Sequence, residues 1–188
     1  MINKCFFQSP IGVLILESDG VGLSRLEICR ESEQSERATE AEQEGTLFRT
    51  EEIMVLTGAE EVTLSQKGKK TELSPILWQA VTELTEYFAG KRREFTVPVS
   101  LMGTDFQMQV WQKLREIPYG ETCSYGQLAE AVGNPRAARA VGMANNRNPV
   151  MIIVPCHRVI GKNGALVGYG GGLPAKKYLL ELEKEHLR

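Results

Sequence analysis

The sequence predicts a mixed α/β (α+β) fold in two parts: a small antiparallel sheet with a covering helix, then a mostly helical second half. Three observations carry this: apolar alternation between Pro/Gly turns up to Ile28, a switch to helical period at Ser74, and two capping signatures beyond Thr104.

The strands come first. Residues 4–8, 13–17 and 21–28 alternate or run apolar, and Ser9-Pro10-Ile11-Gly12 and Asp19-Gly20 between them supply turn chemistry. A polar, Glu-rich run over about 30–45 has too few apolar side chains to pack and is expected to be an acidic surface loop. From Ser74, a capping residue followed by Pro75, the residues Leu77, Ala80, Val81, Leu84 and Phe88 fall on one helical face until Gly90 stops it. This helix is expected to cover the sheet. Residues 91–100, with Lys-Arg-Arg and Pro98, read as the passage between a domain over 1–95 and another over 96–188.

In the second half, Thr104 and Gln107 form a capping box that opens a helix with Phe106, Val110 and Leu114 inward, ended by Pro118 and Gly120. Ser124 and Gln127 repeat the box for a shorter helix, with Leu128, Ala131 and Val132 buried and Gly133 as terminator. Asn134-Pro135 is expected to start a third helix, rich in small residues: Ala137, Ala138, Ala140, Gly142 and Ala144. The pair has the outline of a helix-turn-helix, in which small side chains let a backbone approach DNA while Arg136 and Arg139 reach out. A plain helical hairpin fits the same pattern. Residues 150–154 form a continuous apolar run and predict a buried strand leading to Pro155-Cys156-His157-Arg158. A loop over 161–172 with six glycines and Tyr169 then allows close approach to a ligand, and residues 174–186 form a last helix with Leu179 and Leu182 inward.

Composition narrows the function. With 42% apolar and 24% charged residues in 188, the chain is an ordinary globular protein, which excludes disorder throughout. No apolar run reaches the ~18 residues of a membrane span, and the start lacks a basic segment followed by an apolar one, so the expected location is the cytoplasm, or the nucleus of a eukaryote. The net charge of −2 hides an asymmetry: residues 1–90 hold 8 Lys+Arg against 16 Asp+Glu, leaving 14 against 8 for residues 91–188. A polyanion would therefore meet the second half. The four cysteines lack a C-x-x-C spacing, so thiols are expected, with Cys123 a small buried apolar residue.

Cys156 stands before an imidazole and after a proline, an arrangement able to activate sulfur, since the thiolate is the nucleophile. On an extended backbone neighbouring side chains diverge, so His157 reaches the thiol only through a bend or a bridging water. A c-type haem site fails because position 153 is Ile, and a zinc site lacks ligands because the only other histidine is His186. A cysteine hydrolase stays open.

These residues, taken together, resemble the O6-alkylguanine-DNA alkyltransferases, also called methylated-DNA-protein-cysteine methyltransferases. The resemblance rests on Pro155-Cys156-His157-Arg158-Val159-Ile160, on Gly133-Asn134-Pro135-Arg136-Ala137-Ala138-Arg139-Ala140-Val141-Gly142, on Asn148-Pro149-Val150, and on Tyr169-Gly170-Gly171-Gly172-Leu173, all in order. It implies a ribonuclease-H-like, supportive domain over 1–95 and a winged-helix-like domain with a helix-turn-helix over 96–188 that binds DNA and accepts the alkyl group.

The resemblance further implies that Cys156 is the nucleophile and alkyl acceptor, served by a relay of water, His157 and Glu183, with Asn148 holding the turn beside it. Alone, Glu183 reads as a solvated helix-face glutamate and Asn148 as a loop residue. Arg139 is implied as the finger that fills the space left by an extruded base, and Tyr125 as the residue that rotates the phosphate and donates to guanine N3. Asn134, Ala137, Ala138 and Gly142 would lie against the minor groove, while Val159, Tyr169 and Gly170 line the base pocket. Met151 and Val167 crowd its rim, where members that accept benzyl groups carry smaller or more rigid residues. The expected partner is double-stranded DNA bearing O6-alkylguanine or O4-alkylthymine, met by a monomer with no cofactor. No metal is expected, because the histidines that accompany two cysteines in some members are missing beside Cys5 and Cys29. A thioether is not reversed by water, so each molecule would act once. The rivals are a lesion sensor without transfer, whose relatives carry Trp at the position of Cys156, and a helix-turn-helix regulator with an incidental cysteine.

Overall fold

Antiparallel pairing of the opening strands places alternate apolar side chains on one face, which joins the main core. The computed structural model describes residues 3–29, 65–66, 69–70 and 73–187. The expected acidic loop over 30–45 lies outside the described residues. Strands β1 (Lys4–Ser9), β2 (Gly12–Ser18) and β3 (Leu23–Ile28) form a sheet in the order β1-β2-β3. The register sets Cys5 opposite Leu16 and Phe7 opposite Leu14, and these four join Leu23 and Leu26 in the main core. Phe6, Ile15 and Cys29 form a smaller cluster on the other face. Two two-residue strands, β4 (Ser65–Gln66) and β5 (Lys69–Lys70), pair antiparallel.

Helix α1 (Pro75–Phe88) starts as its sequence demands: the Ser74 side chain accepts from Leu77 N at 3.3 Å, and Pro75 occupies the first turn, where no amide partner is needed. Leu77, Ala80, Val81 and Leu84 are buried, and Tyr87 rather than Phe88 takes the last fully buried place.

The outer edge of β3 is covered by two segments from the second half of the chain. Leu23 N donates to Pro98 O (2.8 Å) and Ser100 N to Leu23 O (2.9 Å); Leu26 N donates to Pro149 O (2.8 Å) and Met151 N to Leu26 O (2.9 Å). Gly22 permits the first contact, since a Cβ there would lie 2.7 Å from Ser100 N and 2.8 Å from Val99 C. Sequence reading missed this edge. One apolar core accordingly runs through both halves, from Leu14 to Leu179.

Helices α2 (Asp105–Arg115) and α3 (Tyr125–Ala131) each begin with the expected capping box, formed by Thr104 with Gln107 and by Ser124 with Gln127. Val110, Trp111 and Leu114 are buried, and Trp111 Nε1 donates to Ala144 O (2.9 Å), fixing α2 against α4 (Ala138–Asn146). In α3 the buried pair is Leu128 and Ala129, while Ala131 faces outward. Helix α4 starts later than Asn134-Pro135, at Ala138, because that dipeptide forms the turn itself: Ala137 N donates to Asn134 O at 2.9 Å. Strand β6 (Cys123–Ser124) pairs in parallel with β7 (Val159–Ile160), and α5 (Leu173–Glu185) closes the chain. No helix among the described residues is long and apolar enough to cross a membrane.

The apolar run 150–154 is buried as expected but is not a strand. Ile152 takes a φ of +71°, folding the run so that Met151 bridges Val154. A β-branched residue pays about 1–3 kcal/mol of strain there. Asn148 holds the bend from within, its Nδ2 donating to Val154 O (2.7 Å) and its Oδ1 accepting from Val150 N (3.0 Å).

Candidate active site

The bend at Ile152 delivers the chain into a 3-10 turn, Cys156–Arg158, which supplies the local curvature that an extended backbone lacks. Cys156 is 4% exposed and His157 and Glu183 are fully buried. Asn145, on α4, donates from Nδ2 to Cys156 O at 3.3 Å, so α4 is bonded directly to the backbone of this turn. Val159 follows in β7, tied to β6 beside Cys123.

Behind the thiol the His157 ring turns Nε2 to Glu183 Oε1 at 2.8 Å. Glu183 reaches this place because α5 sets it four residues beyond the buried Leu179. The carboxylate also accepts from Tyr87 Oη (2.8 Å), from Arg158 Nη2 (2.9 Å) on Oε1 and Nε (2.9 Å) on Oε2, and from Gly120 N (2.9 Å). Burial alone would raise its pKa, but the bonds and charge from His157 and Arg158 outweigh that and hold it well below the usual carboxylate range. An ionised Glu183 accepts only, so Nε2 carries the imidazole proton and Nδ1 keeps its lone pair. That Nδ1 is buried and has no hydrogen-bond partner among the described residues. Burial, outweighing the pull of Glu183, holds His157 below its ordinary value, in the neutral form.

The resting sulfur is a thiol. Burial pushes Cys156 up to about 11, against smaller lowering effects of Asn148 and of Lys176. Burial therefore disfavours the thiolate in the free protein. Lys176 is itself fully buried, donating to Val159 O (2.6 Å) and Val167 O (2.9 Å), and so ties β7 to the Gly-rich loop.

That loop carries Tyr169 and Gly170. Tyr169 is buried, its hydroxyl 3.8 Å from Met151 Sδ, and Gly170 leaves room at Asn146 O, 3.9 Å from where a Cβ would stand. Val167 is 45% exposed at the rim, and its carbonyl accepts from Tyr125 Oη (3.0 Å). A Cβ on Gly142 would stand 3.6 Å from the Tyr125 ring, an ordinary contact, so α4 packing alone does not demand glycine there. Asn134 and Arg139 are exposed, and Ala137 and Ala138 half-buried.

The structure thus brings His157 to Glu183 and Asn148 and Tyr169 to Cys156, with Val159 three residues on in the chain and Gly170 beside Asn146 and Met151. Sequence reading missed Tyr87, Arg158, Lys176 and Asn145 as parts of the site. Cys5 and Cys29 are buried on opposite faces of the sheet, and no cluster of three metal-ligating side chains occurs among the described residues.

Two family models match the chain: the 6-O-methylguanine DNA methyltransferase ribonuclease-like domain over residues 2–101 and the DNA binding domain of the same family over residues 105–185. A methylated-DNA–protein-cysteine methyltransferase of Mycobacterium leprae (strain TN) is 45% identical over 187 residues, covering 100% of this chain and 95% of that protein. The crystal structure of the Mycobacterium tuberculosis O6-methylguanine methyltransferase superposes with a TM-score of 0.71 at 43% identity, over 100% of this chain and 96% of that one. The M. tuberculosis OGT in complex with DNA gives 0.72 at 43% identity, over 97% and 93%.

Proposed function

Because the chain belongs to the 6-O-methylguanine DNA methyltransferase family, we propose that it repairs alkylated DNA by direct reversal, moving an alkyl group from guanine O6 onto Cys156 Sγ. The observation that carries this reading is a buried imidazole beside the thiol, its Nε2 turned to an ionised carboxylate and its Nδ1 left free to accept. The thiol proton passes through a water to His157, whose charged form Glu183 stabilises. Sulfur takes the alkyl carbon, and the electrons of the carbon–oxygen bond stay with guanine. The proton released by the thiol balances the one that restores the neutral base. Tyr125, at the rim, donates toward guanine N3 and improves the leaving group.

A stacked base keeps its O6 out of reach of a sulfur that is 4% exposed, so the nucleotide is extruded into the pocket between Val159, Tyr169 and Gly170. Arg139 on α4 fills the gap in the duplex, with Asn134, Ala137, Ala138 and Gly142 along the minor groove. O4-alkylthymine presents a similar alkoxy carbon and is the second substrate. Residues 96–188 hold the acceptor and the DNA surface, and residues 1–95 brace them.

The test is intact mass after incubation with a duplex bearing O6-methylguanine: a gain of about 14 Da, on Cys156 alone and once per molecule, is expected for transfer without turnover. Repeated repair by one molecule, or an unmodified protein after repair, would refute it. Arg139→Ala is expected to slow repair of duplex substrate at least about tenfold while sparing reaction with the free base, since only extrusion needs the finger. Equal slowing of both reactions would remove that role.

A further inference from the structure

The relay carboxylate receives a hydrogen bond from the other half of the chain. Tyr87, the last buried residue of α1, donates its hydroxyl to Glu183 Oε1 at 2.8 Å, the same oxygen that faces His157 Nε2 at 2.8 Å. We propose that Tyr87 is a positioning residue through which the sheet-and-helix half sets how strongly Glu183 supports a charged His157, and so restrains the nucleophile. This rests on the relay described above.

The geometry makes Tyr87 a competitor. Burial, then the neighbouring Glu183 charge, hold its hydroxyl well above the ordinary range, so it stays protonated and can only donate to the carboxylate. A donor on Oε1 draws charge away from the bond to Nε2. The orientation of Glu183 does not depend on it, because Arg158 grips both oxygens and Gly120 N holds Oε2. Other groups facing the pair do not reach Oε1. Tyr119, after α2, has a buried hydroxyl with no partner among the described residues, and the Arg93 and Arg158 guanidinium carbons lie 6.0 and 5.7 Å from its ring. On the thiol side, Lys176 is occupied with carbonyls and Tyr169 with Met151.

Tyr87→Phe removes the donor and keeps the ring, packed 5.3 Å from Phe95 and 6.1 Å from Tyr119. The experiment is the pH profile of Cys156 alkylation by iodoacetamide, followed by intact mass on the full chain. With His157 more basic, the imidazolium–thiolate pair forms more readily; below the acid midpoint that gain is cancelled by the smaller share of neutral imidazole. Tyr87→Phe should therefore raise the neutral plateau about threefold, move the acid midpoint up by about half a pH unit, and leave the most acidic rates unchanged. Tyr119→Phe should leave the midpoint where it is. A midpoint in Tyr87→Phe that stays or falls overturns the proposal, as does a lowered plateau with an unmoved midpoint, which is what a merely structural role gives. Glu183→Gln separates the two levels: a wild-type profile there defeats the relay itself, whereas a shift there with none in Tyr87→Phe defeats only this inference. If Glu183→Gln does not fold, the nitrogen shifts of the His157 ring, titrated by NMR in Tyr87→Phe, must show the same upward movement.

Discussion

Cys156→Ala is expected to abolish alkyl transfer completely while leaving binding to lesion-bearing DNA within about threefold of the wild type. Nothing nearby can replace the sulfur. Cys5 and Cys29 are buried in the sheet, and Cys123, half-buried in β6, has its thiol pushed up by burial. The proposed binding surface should be undisturbed, because Arg139 is exposed and the hydrogen bond from α4 to residue 156, made by Asn145, goes to a backbone carbonyl that alanine retains. Loss of one buried sulfur atom should cost the fold only about 1–2 kcal/mol. Intact mass and fluorescence anisotropy on the same lesion duplex read the two properties separately. Any transfer by the variant would move the acceptor elsewhere.

Glu183→Gln should damage the fold severely. The carboxylate neutralises Arg158, whose side chain is 7% exposed, and takes bonds from four residues. An amide keeps one acceptor oxygen, turns an NH2 toward donors, and strands the guanidinium, a loss of about 3–5 kcal/mol. The sign of its acid dependence follows from the depressed pKa. The folded carboxyl titrates below its unfolded value of about 4.3, so its contribution is complete above that pH and is lost as the solution becomes more acidic. His157, held neutral by burial, adds a loss of the same sign as pH drops below about 6.5. The melting temperature of the wild type should therefore fall steeply below about pH 5, and that of the Gln variant, already lowered, should fall less. Parallel curves would mean that Glu183 is not the group that titrates.

Local chemistry was legible in the sequence wherever one turn of chain decides the outcome. Thr104 with Gln107, Ser124 with Gln127, and Ser74 before Pro75 each place a helix start within a residue, because the partners lie three positions apart. The site was half legible. Lys176 and Glu183 fall three before and four after the buried Leu179, so helical period already put both charges on the inward stripe of α5. Only the resemblance gave Glu183 its place in the relay, and Lys176 passed unnoticed. Tyr87 falls three after the buried Leu84, so the period marked it as inward too, but nothing local could pair it with a residue 96 positions away. Residues 150–154 misled for a different reason. Five apolar side chains announce burial but not backbone shape, and the bend is imposed by the amide of Asn148.

Prolines 98 and 149 sit where two passing segments close the flank of β3, each offering a carbonyl but no amide hydrogen. A foreign strand therefore finds no continuous ladder to extend there. Under the proposed single-use transfer, what matters between lesions is shelf life: a stockpile of unused molecules protects a genome only while it stays dispersed, and a sealed flank keeps neighbouring copies from zipping together.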